Sequence, residues 1–84
     1  MDTLLLQTPA QLSQHLKALR KRRGLTQAQL AARLGVKQAR YAAIESHPET
    51  VSTMQLLDVL AALGADVLLR VRSDSNSAPA DADW

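Results

Sequence analysis

Four consecutive residues, Lys37, Gln38, Ala39 and Arg40, bring together the side-chain types that read the edges of base pairs. Glutamine bonds adenine at N6 and N7, lysine and arginine reach guanine O6 and N7, and an alanine methyl packs on the thymine methyl. Lys37 also stands where the start of a helix favours Ser, Thr or Asp. Giving up such a cap costs about 1 kcal/mol, which points to a task outside the fold; a tolerated poor cap is the plain alternative. Gln27 opens the preceding segment, where a side-chain amide and the first backbone N–H groups of a helix can hold a phosphate. Other chemistries have no matching residues. There is no Ser–His–Asp set, no pair of carboxylates and no phosphate-cradling loop, so an enzyme is not expected. The chain has no cysteine, and His15 and His47 are too isolated to suggest a metal; no cofactor is implied.

These residues need a scaffold that projects them together, and the pattern of the chain supplies one. Thr8-Pro9-Ala10-Gln11 reads as a helix start, with a capping threonine, proline at the first helical position and glutamine three residues past the cap. Leu12, Leu16 and Leu19 then form an apolar stripe. The bases at 20–23 and then Gly24 close this first helix. Thr26 and Gln29 repeat the capping signature, and Leu30, Ala31 and Leu34 supply a buried face before Gly35. A third segment opens after Val36. Its Tyr41, Ile44 and Glu45 should face inward, with the Tyr41 hydroxyl at the surface or, alternatively, on a phosphate, and Pro48 stops it. Ser52 with Gln55 makes a third capping box ahead of Leu56, Leu57, Leu60 and Leu63, which end at Gly64. Two short helices joined at Gly35, with small Ala31 allowing close approach, leave the first turn of the second one projecting.

Val67, Leu69 and Val71 alternate with Leu68, Arg70 and Arg72, the period of a strand. A lone strand leaves both backbone edges unpaired. It can pair with residues 3–6 or with the same strand of a second copy. The second copy is favoured, because an intertwined pair also stabilises a small chain. Val67, Leu68, Leu69 and Val71 are then the dimerisation residues.

Composition sets the outer bounds. An 84-residue chain buries only about 60% of its unfolded surface, and its core must be aliphatic, with fifteen leucines and no phenylalanine. No apolar run approaches the roughly 20 residues of a membrane span, so a cytoplasmic location is expected. The net charge of +2 conceals an asymmetry. Residues 1–72 hold all ten Lys and Arg against five acids, whereas residues 73–84 hold three acids and no base. A basic body with an acidic tail suits a polyanion partner, although an ordinary basic surface has the same charge. The domain is therefore expected to span residues 1–72, with a disordered acidic tail at 73–84. Trp84 is the large apolar group of that tail. A pure protein-interaction module would turn an apolar face outward; this chain turns out Lys, Gln and Arg.

Residues 25–38, Leu-Thr-Gln-x-x-Leu-Ala-x-x-Leu-Gly-Val-x-Gln, followed by Ile44-Glu45, resemble the helix-turn-helix of the Xre or phage-repressor family. The resemblance covers about residues 10–64. It implies an all-α, phage-repressor-like domain of four to five helices with one C-terminal strand pairing across a dimer. It further implies that Lys37, Gln38 and Ala39 read bases, and that Arg20 and Glu45 form an ion pair tying the first helix to the end of the recognition helix. Arg40-Tyr41 departs from the small or β-branched residues common there. Within the family, the size, the single strand and the loose tail ending in Trp84 look most like HipB-type antitoxins. That likeness implies a homodimer on a palindromic operator in double-stranded DNA, repression of its own operon and neutralisation of a HipA-type kinase toxin. It also implies that Trp84 contacts the toxin or marks the chain for proteolysis. The alternative is a stand-alone Xre-type regulator without a toxin partner.

Overall fold

The computed structural model describes residues 3–72. The expected tail at 73–84 and Trp84 lie outside these described residues. Four α-helices and a 3-10 turn follow one another: α1 (Pro9–Arg22), α2 (Gln27–Leu34), α3 (Gln38–Ser46), the turn Pro48–Thr50, and α4 (Thr53–Ala62). Among the described residues the fold is all-α.

Local chemistry sets the boundaries. Thr8 and Thr26 each accept a hydrogen bond from the backbone of the third helical residue, at 3.1 Å in both cases. The glutamine at that position answers by accepting from the cap's own backbone, Gln11 from Thr8 at 3.1 Å and Gln29 from Thr26 at 2.8 Å. Both reciprocal boxes form as the sequence implies. The helix ends share a second device. Leu25, Val36 and Ala65 each donate a backbone N–H to a carbonyl five residues earlier, on Arg20, Ala31 and Leu60. This is the closure that needs a left-handed residue just before the donor. Gly35, at φ 72°, supplies it between α2 and α3. All three donor residues also pack on the core, so each turn is fastened by its hydrogen bond and by an apolar contact.

Leu12 and Leu16 of α1, Leu30 and Ala31 of α2, Tyr41 and Ile44 of α3, and Val59, Leu60 and Leu63 at the end of the fold form one continuous core. The α2 helix lies against α3 and α4, while α1 lies against α3 and the 3-10 turn. That packing turns the first residues of α3 away from the interior. Upstream of α1, His15 Nε2 stands 2.6 Å from the Leu5 carbonyl and fastens the N-terminal segment to the helix.

Residues 67–71 are expected to form a strand by pairing with a second copy, and the structure holds one copy of the chain. Among the described residues they lie outside every helix and form no strand, and residues 3–6 do not pair with them. The physical reason is that a ladder needs a second strand, and the one intrachain candidate runs elsewhere along α1. Leu68, Leu69 and Val71 are consequently 88%, 93% and 89% exposed. No described helix is long and apolar enough to cross a membrane.

Candidate nucleic-acid interface

Lys37, Gln38, Ala39 and Arg40 form one contiguous exposed patch at the start of α3. Lys37 occupies the cap position in extended backbone, with no side-chain hydrogen bond to the helix it precedes. The leading N–H groups of α3 therefore have no side-chain acceptor at the cap, and they open on the same surface as the lysine. Unsatisfied N–H groups and the positive end of the helix dipole favour a negatively charged ligand there.

Behind this patch a buried carboxylate holds the helices in place. Arg20 of α1 grips Glu45 of α3 with two N–H groups, Nε to Oε2 at 2.8 Å and Nη2 to Oε1 at 3.1 Å. Gln27 of α2 donates Nε2 to Oε1 at 3.0 Å, and the Tyr41 hydroxyl donates to Oε2 at 2.9 Å. A carboxylate offers about four lone-pair sites, so these four donors from three helices satisfy it fully. Arg20 spends a further N–H on the Leu25 carbonyl at 2.9 Å, and Ser13 donates to the Glu45 carbonyl at 2.6 Å. Glu45 is 1% exposed and Arg20 12%. A charge so deeply buried is tolerable only with such a complete set of partners.

The geometry reassigns two residues. The Tyr41 hydroxyl, expected at the surface, is instead buried on Glu45, because residues four apart on a helix share a face. The amide of Gln27, expected to hold a phosphate, turns inward to the same carboxylate. Its backbone N–H and that of Ala28 still stand at the start of α2, outside the bonds of the capping box. The spacing of Tyr41 and Glu45 was a usable signal for the first contact. Nothing in the sequence marks Ser13 as part of the cluster. A third contact ties Arg40 to Gln55 of α4, Nη2 to Oε1 at 2.6 Å.

Burial alone would push the Glu45 carboxyl upward, but the hydrogen bonds from Arg20, Gln27 and Tyr41 outweigh it and hold it below the usual carboxylate range. The hydrogen bond to Glu45 raises Arg20, and burial raises the Tyr41 phenol, keeping it a neutral donor. A lowered carboxyl means that, in acid, the unfolded chain binds more protons than the folded one. The stability due to Glu45 is thus complete above the unfolded carboxyl's value of 4.5 and is lost as pH falls through the lower folded value. The raised phenol acts in the opposite sense: above pH 10.0 the unfolded tyrosine gives up its proton first and stability falls. Urea midpoints measured from pH 3 to 11 should show both limbs; Glu45→Gln should flatten the acid limb, Tyr41→Phe the alkaline one. An unaltered acid limb in Glu45→Gln would remove Glu45 as its source.

The arrangement has relatives of known sequence and structure. A helix-turn-helix family model matches residues 16–68, more than half of the chain. The chain belongs to the helix-turn-helix family. In a helix-turn-helix chain α2 and α3 are the paired helices, and the buried Glu45 cluster lies where they meet α1. Among curated proteins, the antitoxin HipB of Escherichia coli O6:H1 is 32% identical over 62 residues, which is 74% of this chain and 66% of that protein. The chain therefore spans just under two thirds of the length of this curated relative. Among solved structures, the chain resembles a HipB-O4 20mer complex with a TM-score of 0.73 and 28% identity, covering 82% of this chain and 97% of that one. A HipA-HipB-O2-O3 complex gives the same TM-score, identity and coverage.

Proposed function

We propose that this helix-turn-helix chain is a sequence-specific repressor that binds double-stranded DNA through the first turn of α3, and that it serves as the antitoxin of a toxin–antitoxin pair. The observation that carries the DNA reading is the exposed Lys37–Arg40 turn on a helix locked in place by the four-donor Glu45 cluster. Base recognition needs side chains presented on a rigid element, and this cluster supplies the rigidity while taking nothing from Lys37, Gln38 or Ala39. Gln38 reads adenine, Lys37 reads guanine or a flanking phosphate, and Ala39 packs on a thymine methyl. The backbone N–H groups at the start of α2, beside Gln27, fix the phosphate backbone. Val67, Leu68, Leu69 and Val71 pair with a second copy, which converts an exposed apolar segment into a two-stranded ladder and matches the two halves of a palindromic operator. Support for the antitoxin role comes from the HipB relative and from the similarity to a HipA-HipB-O2-O3 complex; the partner this implies is a HipA-like kinase encoded beside this gene.

An electrophoretic shift on the DNA upstream of the chain's own gene tests the reading. Gln38→Ala should lose roughly 1–3 kcal/mol of operator binding, about 5- to 150-fold. Full affinity and full discrimination in that variant would show that α3 does not read bases. Co-purification with the product of the neighbouring gene tests the second half. If DNA is recovered and a protein partner is not, the chain is a stand-alone regulator.

A further inference from the structure

The cap positions of three helices carry the same pair of residue types, and one pair behaves differently. Gln11 and Gln29, each three residues past a capping threonine, return their amide oxygens to the backbone of their own cap. Gln55 holds the same place after Ser52, and the serine does accept its backbone N–H at 3.1 Å. The sequence accordingly implies a complete capping box on α4. The structure has only half of one, because the Gln55 amide oxygen accepts from Arg40 at 2.6 Å instead. A local contact has been given up for one that reaches across to the reading helix.

We infer that Gln55 is a positioning residue for DNA recognition: it holds the Arg40 guanidinium at the edge of the exposed α3 turn, in the orientation in which Arg40 meets the duplex. This inference rests on the DNA-binding reading above. Arginine has five N–H donors in a rigid planar fork, and Gln55 engages one of them. Fixing one corner of the fork on α4 orients the whole plane and leaves donors to face outward. The side chain is long and exposed, so without this hold it would have to be ordered at the moment of binding. The contact also links α4, which contributes no residue to the reading turn, to the outcome at that turn.

A double-mutant cycle decides the matter, using full-length chain and a duplex selected by the wild-type protein from a randomised library. Gln55→Leu keeps the size of the side chain and the Ser52 cap but removes the acceptor. Ordering one rotamer-rich side chain corresponds to about 2- to 10-fold in affinity, so Gln55→Leu should bind the selected duplex weaker by that factor, with a thermal midpoint near that of the wild type. Arg40→Ala should bind weaker still, and adding Gln55→Leu to Arg40→Ala should cost nothing more. Gln55→Glu retains an acceptor for Arg40 and should preserve the ratio of binding between selected and unselected duplexes. Wild-type or tighter binding by Gln55→Leu would overturn the inference, since Gln55 would then be neutral or competing with DNA for Arg40. So would a loss that persists undiminished in the Arg40→Ala background. If the wild-type chain selects no duplex, the DNA-binding reading itself fails and this role falls with it. Wild-type binding that responds to Gln38→Ala but not to Gln55→Leu would sink the positioning role alone.

Discussion

Replacing Glu45 with alanine is expected to lower the free energy of unfolding by about 3–5 kcal/mol, the cost of breaking a buried ion pair from one side. The substitution strands the Arg20 guanidinium at 12% exposure and takes the acceptor from Gln27 and from the buried Tyr41 hydroxyl. Small domains hold only about 0.05–0.15 kcal/mol per residue, so this loss removes much of what keeps α1, α2 and α3 together. Urea unfolding followed by circular dichroism measures it. Exchanging both partners for apolar residues, Arg20→Met with Glu45→Leu, should recover a good part of the loss, because no charge is then left without a partner. A double variant no more stable than Glu45→Ala would mean that the damage comes from lost packing, not from the abandoned charge.

The second large effect belongs to Leu30. It is fully buried between α2 and its neighbours, and Leu30→Ala should cost about 2–5 kcal/mol through lost transfer energy and an incompletely collapsed cavity. The informative comparison is with DNA binding. Leu30 presents nothing to the surface, so its loss should shift the urea midpoint while protein held folded at low temperature keeps its operator affinity. Gln38→Ala should do the reverse. If Leu30→Ala weakened binding by the folded protein as strongly as Gln38→Ala does, the reading turn would owe its shape to the core more than to the Glu45 cluster.

Much of this fold was legible because its signals are local. Each capping threonine and its answering glutamine lie three residues apart, and the apolar stripes recur at helical spacing; the helix starts and the buried faces therefore followed from short windows. The exposed first turn of α3 was legible for a related reason: a cap position filled by Lys37 is a departure that the eye can find in one segment. Apart from the Tyr41–Glu45 bond within α3, the contacts that escaped are made across helices, where the family resemblance implied the Arg20–Glu45 pair alone. Gln27 looks like a surface residue at a helix start, and its inward turn depends on a carboxylate eighteen residues away. Ser13 and Glu45 meet over 32 residues with no pattern to announce it. Gln55 follows a capping pattern and still escapes it, because an arginine fifteen residues earlier offers a better donor. The strand at 67–71 was legible as an alternation, but forming a ladder depends on a second strand that one copy of the chain does not provide.

The separation between the turn proposed to meet DNA and the cluster that fixes it bears on how such a chain changes over generations. Lys37, Gln38 and Ala39 are exposed and take no part in the core, while Arg20, Gln27, Tyr41 and Glu45 do the joining of helices. A duplicated gene could therefore acquire a new address in the genome by exchanging a few surface side chains, with the interior inherited intact. Two descendants would then diverge in the operators they recognise while melting at nearly the same temperature.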